Sequence, residues 1–194
     1  MLYICALRKW KKQALTVNKF INFVFFQVLW FACVLGAARG LVWPGFVVLG
    51  LFLVWQLQPS RIALGDIRLI LVAILLGILL DSLWPMFGVL SFATPVPLPS
   101  FAPVWIIFLW IGFALTINHS LAWLKEKIVI AVVLSFVAAP LSYFGGHRLG
   151  ALDFTMSVPM ALLLLAFAWA IAFPLLVMFA RYMQNKPQSS KALV

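Results

Sequence analysis

The sequence predicts an all-α polytopic membrane protein with six transmembrane helices and both termini cytoplasmic, on three observations. Of its 194 residues 66% are hydrophobic and 9% charged, with a mean hydropathy of +1.15. Soluble domains carry about 25% charged residues, so this composition does not build a water-facing surface. The apolar residues fall into six runs, each close to the ~20 residues that cross a bilayer as a helix. The 14 lysines and arginines crowd into alternate connections between those runs. Six spans with short turns consume about 150 residues, which leaves room only for a basic tail over 1–19, a helical domain over 20–183 and a short tail over 184–194.

The first run, 20–38, breaks at Arg39-Gly40. A second, 41–57, stops at Gln58-Pro59-Ser60, and a third, 67–83, loosens at Trp84-Pro85 and Gly88. The stretch 93–103 holds Pro95, Pro97, Pro99 and Pro103, too many for a helix interior. The fourth run is 104–121, the fifth 128–144 with Gly145-Gly146 as its stop, and the sixth 157–180.

With the amino terminus cytoplasmic, the inside segments hold Arg8, Lys9, Lys11, Lys12, Lys19, Arg61, Arg68, Lys125, Lys127, Arg181, Lys186 and Lys191. Only Arg39 and Arg148 fall outside. That split is the positive-inside pattern, and it requires an even number of spans. A cleaved signal peptide is the rival reading of the first run, with Gly36-Ala37-Ala38 near a cleavage point. Against it, the run carries Asn22 and Gln27, is long for a signal core and feeds straight into another span. The net charge of +10 suits loops facing an anionic leaflet, at about 1 kcal/mol per basic residue, rather than nucleic acid. Cys5 and Cys33 make neither a ligand pair nor an obvious disulfide.

Polar groups inside the spans are the functional candidates. Asp81 lies about 12 residues into the third span, roughly 18 Å from its cytoplasmic start. A carboxylate there is expensive and marks a site by default. Arg39, His147 and Arg148 are its candidate partners, and the bland reading is a carboxylate at a helix end reaching the interface. Thr116 and Ser120 share a helical face near the end of the fourth span, while Asn118 and His119 point elsewhere. His119 is expected about 10 Å in height from Asp81. Asn22, Gln27 and Gln56 are expected in interhelical hydrogen bonds worth about 0.6 kcal/mol each, with Gln27 also placed to line a cavity. Trp10, Trp55 and Trp123 read as one interfacial belt, and Trp43, Trp84 and Trp105 as the other. Trp30, Trp110 and Trp169 sit deeper, as core filling or as the lining of an acyl-chain groove. Gly36, Gly77, Gly112 and the alanines of 166–172 offer close helix contacts, and Pro174 a kink.

The catalytic inventory is thin: four acidic residues, two histidines and no HExxH, Walker A, GxGxxG, CxxC or GxSxG pattern. No metal site and no cofactor is expected, since Asp81, His119 and His147 fall at different heights. An enzyme built here would use Asp81 with His147 and Tyr143. Arg148, in the flexible turn 145–150, is an anion-binding candidate or a snorkelling side chain.

Several stretches together resemble a known family. They are NFVFFQVLW over 22–30, the Trp43-Pro44-Gly45 turn and GILLDSLWPMFGVL around Asp81. They continue with APVWIIFLWIGFALTINHSLAWL over 102–124, Ala139-Pro140-Leu141-Ser142-Tyr143 and GGHRLGAL over 145–152. The family comprises small multi-span inner-membrane proteins of Gram-negative bacteria, described only as a domain of unknown function. The similarity runs over residues 18–183. It implies a place in the bacterial inner membrane, and through gene neighbourhood an association with cyclopropane fatty acid synthesis and related lipid modification; it implies no catalytic residues. Two functions follow as expectations. One is a non-catalytic protein that binds a lipid or supports a lipid-modifying enzyme, with a groove open to the bilayer and Arg148 or Arg39 at its mouth. The other is an enzyme acting on a lipid head group or acyl chain, with Asp81 as acid or base in a closed pocket near His147 or Tyr143. A transporter acting as an oligomer is a third. For ligand contacts the candidates are Arg148, Arg39, Asn118, His119, Gln27 and Trp110, and the expected partners are membrane lipids, a lipid-modifying enzyme or a second copy of the chain.

Overall fold

Helix dominates residues 2–185, the part of the chain that the computed structural model describes. Lys186, Lys191 and the rest of the carboxy-terminal tail lie outside the described residues. The elements are α1 (Leu2–Ala37), α2 (Trp43–Gln56), α3 (Asp66–Met86), β1 (Leu90–Phe92), α4 (Val104–Ile117), a short 3₁₀ helix (Ala122–Glu126), α5 (Ile128–Arg148), β2 (Leu152–Phe154) and α6 (Val158–Asn185). The segment read as a separate basic tail continues α1 without a break. Pro44 opens α2, where its missing N–H has no intrahelical partner to lose. Gly65, at a φ of 89°, turns the chain into α3. The third helix does not end at Trp84-Pro85 but runs one residue further, to Met86.

Among the described residues, four helical segments are long and apolar enough to cross a membrane: Leu15–Ala37, Asp66–Met86, Ile128–Arg148 and Val158–Asn185. These make the chain a multi-pass membrane protein. The runs 41–57 and 104–121 correct the expectation of six full-length spans, because α2 and α4 have 14 residues each, about 21 Å at 1.5 Å per residue. After Ile117 the chain turns, and Asn118, His119 and Ser120 spend their side chains on tertiary hydrogen bonds instead of extending the helix. The short α4 is tolerable because its residues from Ala114 to Ile117 are all buried, so neighbouring helices rather than lipid surround it there.

The packing order places the site. Helix α4 packs on α1, α2 and α3, α3 also packs on α6, and α5 lies along α6. The helices α1, α4, α3, α6 and α5 thus form an arc whose two ends, α1 and α5, face each other with little packing between them. Residues Leu90, Ser91 and Phe92 pair antiparallel with Phe154, Asp153 and Leu152. This ladder ties the connection after α3 to the connection after α5 at one end of the arc. The proline-rich segment is fastened there too: Ala102 N–H donates to Ser82 Oγ at 2.9 Å and Trp105 Nε1 to the Ala93 carbonyl at 3.1 Å. Trp84 and Trp105, expected in an interfacial belt, are buried, whereas Trp43 and Trp123 are exposed.

Candidate functional site

The inner side of the arc lines a half-open cavity of ≈ 560 Å³, within the ~300–1,000 Å³ range of small-molecule sites. Its walls are mostly apolar and strongly aromatic. Phe26 and Trp30 come from α1, Trp105, Trp110 and Phe113 from α4, and Trp169 from α6. Asp81 is the acidic group on its wall, and it is 0% exposed.

Local sequence explains how Asp81 is held. Gly77 is one turn before it on the same face of α3. A Cβ at position 77 would overlap the Trp110 indole, so glycine is what allows that ring to lie flat against the helix. In that place Trp110 Nε1 donates to Asp81 Oδ2 at 2.5 Å. The Tyr143 hydroxyl donates to Oδ1, and Trp169 Nε1 donates to the Tyr143 oxygen at 3.4 Å. The Trp110 and Trp169 rings stack, 4.8 Å apart at 16°. Trp84 is buried beside the pair, and its Nε1 has no hydrogen-bond partner among the described residues. Both carboxylate oxygens of Asp81 therefore accept hydrogen bonds, one from an indole N–H and one from a phenol O–H. None of its hydrogen-bond partners is Arg, Lys or His.

Gln27 also lines the cavity and makes no hydrogen bond to the described residues. An amide left so in an apolar cavity favours a polar group brought in by a ligand or water. Across the gap between α1 and α5, Trp30 Nε1 donates to Ser142 Oγ at 2.8 Å, and the Trp30 ring lies against Gly145.

A second polar cluster gathers at the opposite end of the arc from the strands. Asp66 accepts from Ala63 N–H at 2.8 Å, Asn118 Nδ2 at 2.8 Å and His119 Nε2 at 2.9 Å. Gln56 Nε2 lies 3.2 Å from the His119 ring nitrogens. Gln56 Oε1 in turn accepts from Asn22 at 2.7 Å, Asn22 Oδ1 accepts from the Ser120 hydroxyl at 2.7 Å, and Asn118 Oδ1 accepts from Lys125 at 3.0 Å and Gln184 at 3.2 Å. The network joins α1, α2, α3, α4 and α6 and is satisfied throughout. Burial holds the Lys125 ammonium below its ordinary value of 10.5; Asp66 and Glu126 oppose that fall, and Lys19 adds to it. Between the depressed value and 10.5 the unfolded chain binds the proton that the folded chain has released, so stability rises with pH there. Lys125→Met is expected to flatten that rise in thermal melts taken as the pH approaches 10.5 from below.

The sequence-derived candidates thus separate. Asp81, Tyr143, Trp110 and Gln27 meet at the cavity. His147 does not reach Asp81: its Nδ1 lies 3.2 Å from the Leu152 carbonyl and 3.4 Å from Asp153. Arg39 and Arg148 are exposed and line no part of this cavity, which removes them as partners of Asp81 and as the guards of its mouth. Asn118 and His119, expected off the Thr116–Ser120 face, both meet Asp66 just after α4 has ended. Asp66 stands 15 residues before Asp81 on α3, so His119 and Asp81 are about 22 Å apart along that axis rather than 10 Å. Sequence reasoning passed over Asp66; Gly65 followed by an acid in the first turn of a helix was the available signal.

A protein-family model described as "Protein of unknown function (DUF2878)" matches residues 19–175, a stretch that holds Asp66, Asp81, Tyr143 and Trp169. No curated protein and no solved structure matches the chain.

Proposed function

Since the chain belongs to the DUF2878 family, whose description assigns no activity, we propose a function from the cavity itself: a bacterial inner-membrane protein that binds a lipid between α1 and α5 without transforming it. The supporting observation is the ≈ 560 Å³ apolar cavity behind a gap between two helices that barely pack. In a bilayer that gap faces acyl chains, and an apolar chain entering it gains about 0.8 kcal/mol per buried CH₂. Six spans, with α2 and α4 as short ones sheltered by their neighbours, complete the reading. Both termini are cytoplasmic in it, on the distribution of basic residues. A lipid-modifying enzyme or a second copy of the chain is the partner such a binder would serve.

Ala138 lines the exposed side of the cavity from α5, where Ala138→Trp obstructs it. Mass spectrometry of lipids retained by the purified protein is expected to show one species enriched over the bulk membrane. In Ala138→Trp its amount falls about tenfold, the effect of ~1.4 kcal/mol of lost binding. Retained lipids that match the bulk membrane in both proteins would overturn the reading. The rival reading, an enzyme with Asp81 as acid or base, is favoured by the Tyr143–Asp81 hydrogen bond. It predicts a chemically altered lipid in cells carrying the wild type and its absence in cells carrying Asp81→Asn.

A further inference from the structure

We infer that the polar group this cavity accepts at its Asp81 end is a positive charge, so that its ligand is a lipophilic organic cation such as an amine or quaternary ammonium on an apolar body. The inference rests on the cavity being a binding site and adds the chemistry of what it takes. Three features carry it. The acidic group on the wall, Asp81, has no basic partner among the described residues, and its two oxygens are held by Tyr143 and Trp110. A phosphate or carboxylate headgroup placed there would meet a like charge with no cation to offset it, whereas a cation supplies the missing partner. Aromatic rings line much of the surrounding wall: Trp30, Trp105, Phe113 and Tyr143, with the stacked Trp110–Trp169 pair beside Asp81. Ring faces attract cations, most strongly when water is excluded. The indole and phenol donors that hold Asp81 are neutral, so they orient the carboxylate without cancelling its charge. Arg39 and Arg148, the groups that would recognise an anion, stand on the exposed surface away from these walls.

Tetraphenylphosphonium and tetraphenylborate test this directly, since they share shape and size and differ in the sign of their charge. Isothermal titration of the purified protein, with empty micelles subtracted, is expected to show the cation binding at least about tenfold more tightly than the anion. In Asp81→Asn the preference disappears, with the anion's affinity unchanged or improved. Tyr143→Phe keeps the carboxylate and retains the preference, which separates the charge from any general damage to the fold. Equal affinities in the wild type, tighter binding of the anion, or a preference that survives Asp81→Asn would each overturn the cation assignment. Binding of neither probe overturns it as well. If a lipid is still enriched on the wild type and lost from Ala138→Trp, the lipid-binding reading stands without it.

Discussion

Asp66→Ala is expected to lower the unfolding free energy by about 3–5 kcal/mol, the range for breaking a buried charge network from one side. Three donors lose their acceptor at once: the Ala63 N–H, the Asn118 amide and the His119 ring. Asn118 is the buried one of the three, and a buried donor left unsatisfied costs about 1–3 kcal/mol. Asp153→Ala is the control. That carboxylate is 83% exposed and lies 3.4 Å from His147, so its loss should stay within about 0.5 kcal/mol. Thermal melts and denaturant titrations in detergent read the difference. Two variants of equal stability would mean that the Asp66 cluster does not hold α3 and α4 together.

Gly77→Ala is expected to destabilise by about 1–3 kcal/mol through overpacking and to impair ligand binding. The added Cβ meets the body of the Trp110 indole, which has no flexible end to move aside. Displacing that ring breaks its hydrogen bond to Asp81 and its stack on Trp169. Near-ultraviolet circular dichroism should therefore lose the signal of the paired indoles while far-ultraviolet helicity persists. Gly112→Ala should be milder, because its nearest obstacle is the tip of the Leu29 side chain. Gly50 has nothing within 4 Å, and Gly50→Ala should be neutral or stabilising by up to about 1 kcal/mol through helix propensity. If Gly77→Ala behaves like Gly50→Ala, the close approach of Trp110 is not what positions Asp81.

Apolar runs were enough to place six helices, because a 20-residue hydrophobic stretch has few other uses. They overstated α2 and α4. A run of apolar residues continues through Ile117 towards Leu121, but the fate of Asn118 and His119 depends on Asp66, 52 and 53 residues away. The strands could not be read either, since three residues carry no usable period and their pairing joins segments some 60 residues apart. At the site, Asp81 was conspicuous by its charge, and Tyr143 stood out as a polar group in the fifth span. Trp110 and Gly77 were noted separately, but their contact belongs to the α3–α4 interface and to neither helix alone. Height along the bundle failed for the same reason: counting within one helix does not say where its neighbours are anchored.

The Trp30–Ser142 contact has a consequence for how affinity should be expressed. On the proposed lipid-binding reading, the opening between α1 and α5 that it bridges faces hydrocarbon rather than water. A molecule reaching the cavity by that route first dissolves in the bilayer and then arrives by two-dimensional diffusion. The concentration that governs occupancy is its mole fraction among the lipids, not its molarity in the buffer. Diluting the protein with more lipid at constant total ligand would therefore weaken apparent binding, and two ligands of equal intrinsic fit would rank by their partition into the membrane.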